Sequence, residues 1–317
     1  MELNLNELKG RNILVTGGAG FIGSNLVDTL SSVAKVIVFD NMSSGLMSNL
    51  RKSQNLITIV KGDILDKDRL KDVMADTEYV FHLAANVGNV KSIEDPTFDM
   101  EVNIKGTINV LEACVNSHIK RLVYSSSGAI FGEAKYIPID EEHPTHPESP
   151  YGVSKLAAEK YCFAFHKIHG LPVTALRYFN AFGPRQKSSR AANVISVFFS
   201  RIREGKPLTI YGDGTQTRDF VSTRDIIQAN VLAATQPAAV GEVFNVATGQ
   251  EYDLNFIIKI INRISGKENK VNYTTPRAGE VQHSRANIEK ICRVLGYRPQ
   301  TDIERDLQQT WQEEGEK

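Results

Sequence analysis

The chain has 317 residues, of which 41% are hydrophobic and 23% charged. That composition excludes a disordered, collagen-like or coiled-coil chain and leaves room for about two domains. Lys+Arg and Asp+Glu are 37 each, so the basic excess that a nucleic-acid binder needs is missing, although a few arginines could still converge on a small anion.

Cys114, Cys162 and Cys292 are far apart and form no C-x-x-C pair, so neither a disulfide framework nor a thiolate metal site is expected. The opening MELNLNELKG lacks a basic stretch followed by an apolar one, and no apolar run approaches the ~18 residues of a membrane span. These features predict a soluble cytoplasmic protein without membrane contact.

In chain order, the first strand signal is Asn12–Val15, ended by Gly17-Gly18. Further β-rich runs follow at 35–40, 57–63, 79–85, 121–127 and 173–179. They are continuously apolar, as in strands buried on both faces. Helical patterns at 21–30, 68–74, 97–117 and 150–169 fall between several of them. Strand–helix alternation of this kind predicts an α/β fold, a doubly wound parallel sheet. After Gly183-Pro184 the pieces shorten: 193–204, 208–211, 218–221, 224–234, 242–247, 255–264, 288–295 and 303–312. The expectation is a nucleotide-binding Rossmann domain over 1–183, with 218–247 returning to it. A smaller C-terminal α/β substrate domain takes 184–217 and 248–317.

Gly17, Gly20 and Gly23 satisfy G-x-x-G-x-x-G between the first strand and the first helix. Glycines there allow a tight turn and let backbone amides approach a pyrophosphate at the helix N-terminus. Asp40 ends the second strand, close to the expected ~20 residues onward. Its carboxylate would accept from ribose hydroxyls and repel a 2′-phosphate, which favours NAD over NADP. Asp63 and Leu83-Ala84-Ala85 end the third and fourth strands. They fit the adenine and a close approach of the cofactor, and equally a loop Asp and a packed strand end.

Tyr151 and Lys155 lie at i and i+4 at the start of a helix, with Ser149 as N-cap and Pro150 in the first turn. An ammonium beside a phenol favours the phenolate, so Tyr151 is a candidate general base. A Y-x-x-x-K spacing alone equally describes a core tyrosine and a surface lysine. Ser127, at the carboxyl end of the fifth strand, adds a hydroxyl where ligands bind in open α/β sheets. Ser125 and Ser126 are rivals for that role.

Taken together, Gly17–Gly23, Asp40, Ser127, Tyr151 and Lys155 resemble the extended short-chain dehydrogenase/reductase superfamily. More narrowly the chain resembles the sugar-nucleotide epimerases of the NAD-dependent epimerase/dehydratase family. The similarity runs through DNMSSG at 40–45, HLAA at 82–85, NIKGTINVLEA at 103–113, RYFNAFGPRQ at 177–186, IYGDGTQTRDFV at 210–221 and PRAGEVQHSRA at 276–286. The resemblance implies NAD contacts at Gly17, Gly20, Phe21, Ile22, Gly23, Asp40, Asn41, Asp63, Ile64, Leu83, Ala84, Ala85, Asn103, Tyr151, Lys155 and Tyr178. It implies Ser127, Tyr151 and Lys155 as catalytic residues. Nucleotide-sugar contacts fall on Ser127, Asn180, Asn193, Arg218, Arg277, Glu280 and Ser284. Homodimerisation through the helices at 97–117 and 150–169 is implied as well.

Relatives that dehydrate the sugar carry Asp-Glu directly after the catalytic hydroxyl residue, whereas here Gly128 and Ala129 follow Ser127. These cannot transfer protons, which leaves inversion at C4 through a 4-keto sugar as the expected reaction of a UDP-hexose. The resemblance implies that position 284 lines the sugar pocket, where a serine in place of a relative's tyrosine leaves room for an N-acetyl group, so both the glucose/galactose and the GlcNAc/GalNAc pairs are expected substrates. A uronic-acid epimerase, a 4-ketoreductase and a non-catalytic NAD sensor are the alternatives.

Overall fold

The computed structural model describes residues 3–117, 119–186, 194–276 and 281–315. Seven parallel strands form the central sheet. Six follow in the first half: β1 (Asn12–Thr16), β2 (Lys35–Asp40), β3 (Ile57–Lys61), β4 (Tyr79–His82), β5 (Arg121–Ser127) and β6 (Val173–Tyr178). The spatial order is β3-β2-β1-β4-β5-β6, with Val243–Val246 beside β6. This is the Rossmann order, with its topological switch between β1 and β4.

Both faces are covered, which is why the strands read as unbroken apolar runs. On one side Leu26, Val27, Val38, Phe81, Leu176 and Phe244 pack with Ile226 and Ala229 of the helix Thr223–Thr235. On the other, Leu14, Phe39, Val80, Val110, Leu122 and Tyr124 pack with Ala158 and Cys162. A separate core is built from Phe182, Phe198, Phe199, Ile210, Phe220, Ile257 and Leu307 in the second half of the chain. There the strands Leu208–Tyr211 and Val271–Thr274 pair in parallel.

The helices that frame the site are α1 (Phe21–Leu30), α2 (Lys67–Met74), α3 (Asn89–Glu94), α4 (Pro96–Met100), α5 (Gly106–Val115) and α6 (Pro150–His169). α6 has the expected bounds for a local reason. Ser149 Oγ accepts from the Gly152 amide at 3.1 Å, Pro150 fills the first turn, and Gly170 closes the helix in a left-handed conformation. The single helix expected over 97–117 is not single. It begins at Pro96, capped by Asp95, and widens into a π-turn at Glu101–Lys105 before continuing as α5. Helix α3 has no counterpart in the sequence pattern. The fourth strand stops at His82 and the third at Lys61, so Leu83–Ala85 and Asp63 lie in the following loops.

Of the stretch 218–247, Val243–Val246 joins the central sheet and Thr223–Thr235 packs on it. Phe220–Ser222 pairs instead with Asn180–Phe182, and Thr217–Arg218 with Tyr252–Asp253 and His283–Ser284. The strand expected over 218–221 is therefore two short strands.

Candidate active site

Two glycines set the turn after β1. Gly17 has φ +70°, and a Cβ there would stand 2.7 Å from the Ala84 amide nitrogen. A Cβ at Gly23 would fall 2.2 Å from the Gly17 carbonyl oxygen. Only glycine lets loop, strand end and helix close in this way. α1 then begins on Gly20 with no side-chain cap, leaving its first amides, at Phe21 and Ile22, to an outside acceptor. Asp40 is buried, and Ala19 and Met42 donate backbone N–H groups to its two oxygens at 2.9 and 2.8 Å. Each carboxylate oxygen keeps a lone pair for a ribose hydroxyl. Asn41 donates to Asp63 at 2.8 Å, which ties the two loops that would flank an adenosine. Ile64 is buried, and its carbonyl accepts from Asn109. These residues fit a dinucleotide diphosphate and its ribose.

On the β4 side, the Ala84 amide donates to Thr16 Oγ1 at 3.3 Å, holding Leu83–Ala85 against β1. His82 is buried between Thr16 and Thr107, 2.7 and 3.0 Å from their hydroxyls. Burial, helped by the Lys155 charge, pushes its pKa down to about 3, so the ring is neutral.

Ser127 ends β5 at the carboxyl edge, where its hydroxyl accepts from the Ala129 amide at 3.1 Å and lies near enough to the Tyr151 phenol to draw its pKa down. The other two serines are spent elsewhere. Ser126 donates to the buried Glu159 carboxylate at 2.6 Å, and Ser125 bonds the Tyr178 hydroxyl. That leaves Ser127 as the hydroxyl facing the phenol. Glu159 is itself paired with Arg177 at 2.7 Å, both almost fully buried.

Burial pushes the Tyr151 phenol up to about 12, offset in part by the Ser127 hydrogen bond and reinforced by the Asp99 charge. Burial pulls Lys155 down to about 8, against the charges of Asp99 and Glu159. The sequence reading had the Lys155 ammonium lowering the phenol. In the structure that ammonium lies 4.5 Å from the centre of the Tyr124 ring and is not among the groups that shift Tyr151. Desolvation dominates because Lys155 is buried and Tyr151 half-buried among packed protein groups.

Asn103 falls in the π-turn and is buried. Its Oδ1 accepts from the Asn86 amide at 2.8 Å, and its Nδ2 lies within 3.1 Å of the Asn86 carbonyl, Asp99 Oδ1 and Ser154 Oγ. Sequence reading missed Asn86, Asp99 and Ser154. The available signals were Asp99 four residues before Asn103 and Ser154 inside the Tyr151–Lys155 turn. Tyr178 is a core residue whose hydroxyl is held by Asn230 at 2.8 Å.

On the substrate side, Ser284 is directly opposite Arg218 on the neighbouring parallel strand. Arg218 donates to the Thr217 and Gln282 carbonyls. The adjoining Asp219 carboxylate gathers the Thr248, Gly249 and Ala286 amides, and burial pushes it up to about 6. Asn180 pairs with Phe220 in the short sheet. Asn193, Arg277 and Glu280 lie outside the described residues.

Fold and glycine turn together define a Rossmann-type NAD-binding protein. Residues 13–247 match the model of the NAD dependent epimerase/dehydratase family, and the chain belongs to that family. NAD is its cofactor. The chain is 39% identical to a UDP-N-acetylglucosamine 4-epimerase of Methanobrevibacter ruminantium, solved in complex with UDP-N-acetylmuramic acid. That match covers 97% of this chain and 99% of the other, with a TM-score of 0.93. It is 32% identical to a UDP-glucuronic acid 4-epimerase of Bacillus cereus solved with UDP-glucuronic acid and NAD, over 96% and 99% of the chains, with a TM-score of 0.90. A UDP-glucose 4-epimerase of Mycolicibacterium smegmatis is 35% identical over 303 residues, 94% of this chain and 96% of the relative. These relatives support a nucleotide-sugar 4-epimerase. Among the described residues, no helix is long and apolar enough to cross a membrane.

Proposed function

We propose that the protein inverts C4 of UDP-hexoses through a 4-keto sugar, with UDP-glucose/UDP-galactose and UDP-GlcNAc/UDP-GalNAc as substrates. The observation that carries this reading is the Ser127 hydroxyl at the carboxyl edge of the sheet, close enough to the Tyr151 phenol to lower its pKa and followed by Gly128 and Ala129. That site can move a proton on and off one oxygen, yet it offers no acid–base pair for dehydration at the next carbons.

Tyr151 removes the O4 proton while Ser127 holds the same oxygen. Bound NAD would supply the hydride acceptor for C4 and the donor for the return step. The 4-keto sugar turns about its diphosphate, held by Arg218 and Asn180, and presents the other face. Tyr151 then gives the proton back, leaving the inverted alcohol and no net redox change. Gly17, Gly20, Gly23 and Asp40 would hold the cofactor, with Lys155 assigned to it as well. Residues 1–183 with the strand at 243–246 form the cofactor domain in this reading, and the second core with Arg218 and Ser284 forms the substrate domain.

The protein is a cytoplasmic homodimer in the same reading. α6 and its neighbours expose Val153, Tyr161, Phe98 and Met100, apolar side chains that a second copy would cover.

Incubation with a panel of UDP-sugars, followed by separation of the epimers, tests the reaction. Interconversion of both pairs without added cofactor is expected. Turnover of uronic substrates alone, or turnover that consumes stoichiometric NADPH, overturns it. Light scattering of the purified protein tests the dimer.

A further inference from the structure

Asp99 is fully buried on α4, yet no cation pairs with it among the described residues. Its carboxylate is held by neutral donors. Asn86 Nδ2 lies 3.0 Å and Asn103 Nδ2 3.1 Å from Oδ1, and Ser154 Oγ lies 2.5 Å from Oδ2. The three donors come from three places: the loop after Leu83–Ala85, the π-turn, and the turn of α6 between Tyr151 and Lys155. Ser154 Oγ also lies 3.0 Å from the Tyr151 carbonyl.

We infer that Asp99 is a positioning residue for the Tyr151–Lys155 pair, fixing the first turn of α6 against the cofactor loop and setting a buried negative charge beside the two reacting groups. The inference rests on the role proposed for Tyr151. A buried carboxylate without a cation is costly, and neutral donors offset only part of that cost. An amide would satisfy most of the same partners, so the charge itself needs a use. Other groups facing Tyr151 and Lys155 do not supply one. His82 on β4 is neutral, burial keeps Tyr124 on β5 and Cys162 on α6 protonated, and the Glu159 charge is matched by Arg177. Asp99 makes no ion pair among the described residues, and its field favours the protonated forms of both Tyr151 and Lys155.

Asp99→Asn keeps the shape and removes the charge. In the NAD-bound protein its KM should stay within about twofold, because the shape of the site and uniform binding are kept. Its acid limb should move to lower pH by about half a unit, since loss of the anion lets the phenol ionise earlier. Ser154→Ala keeps the charge and cuts the link to α6, so kcat should fall with the limb unmoved. The phenolate titration of Tyr151, read by absorbance difference against Tyr151→Phe, needs no substrate. It separates this inference from the choice of reaction. An unshifted titration in Asp99→Asn overturns the charge role, and wild-type kcat in Ser154→Ala overturns the positioning role.

Discussion

Ser127 and Tyr151 come from the end of a strand and the start of a helix, 24 residues apart in sequence, and the fold brings the serine hydroxyl to the phenol. Burial raises the phenol's pKa, Ser127 draws it down, and Asp99 raises it further. A base built this way needs added positive charge before it ionises near neutrality, and a cofactor with a cationic ring supplies it. In the proposed reaction, catalysis and cofactor binding would thus be tied to one oxygen.

Tyr151→Phe is expected to lower kcat by about 10²–10⁴-fold, the usual contribution of a general acid–base group. Retention of NAD and of the melting temperature would show that the loss is chemical. Ser127→Ala removes the hydrogen bond and should also slow turnover. A Tyr151→Phe enzyme at near wild-type rate would displace Tyr151 as the base.

The purified protein should carry NAD, released into the supernatant on denaturation. Gly23→Ala places a methyl 2.2 Å from the Gly17 carbonyl oxygen and must open the turn. NAD affinity is expected to drop about tenfold or more, 1.4 kcal/mol for each factor of ten. Unchanged NAD content in the variant would mean that the turn is not the cofactor cradle.

His82 predicts a pH dependence of stability. Its folded pKa is about 3 against an ordinary 6.5, so the unfolded chain takes the proton first as pH falls. The stability this neutral ring contributes is complete above about pH 6.5 and is lost progressively towards pH 3. The slope approaches about 1.4 kcal/mol per pH unit from this group. Denaturant melts between pH 7 and 5 should be less steep in pH for His82→Gln. Parallel curves for variant and wild type would assign the acid sensitivity to other groups.

Ser284 stands opposite Arg218 across two parallel strands. Ser284→Tyr is expected to reduce kcat/KM for the GlcNAc/GalNAc pair about tenfold or more, because a clash penalises the larger substrate. The glucose/galactose pair should be nearly unaffected. Equal loss on both pairs would show that this position does not gate the sugar.

The sequence by itself determined the alternating sheet, the bounds of α6 and the glycine turn, because these follow from local signals. Continuous apolar runs need two covered faces, Ser149-Pro150 and Gly170 cap a helix whatever surrounds it, and Gly17 and Gly23 declare a turn that no other residue can make. Only the tertiary structure decided which serine meets the phenol. Ser125, Ser126 and Ser127 are alike in sequence, and their fates depend on Tyr178, Glu159 and Tyr151 arriving from other elements. The π-turn that sets Asn103 among Asn86, Asp99 and Ser154 is likewise invisible to periodicity, since its cause is a buried polar network made across three segments. The protonation of Tyr151 was decided there too. Sequence placed an ammonium one turn away, and folding buried both groups, so desolvation outweighed their attraction.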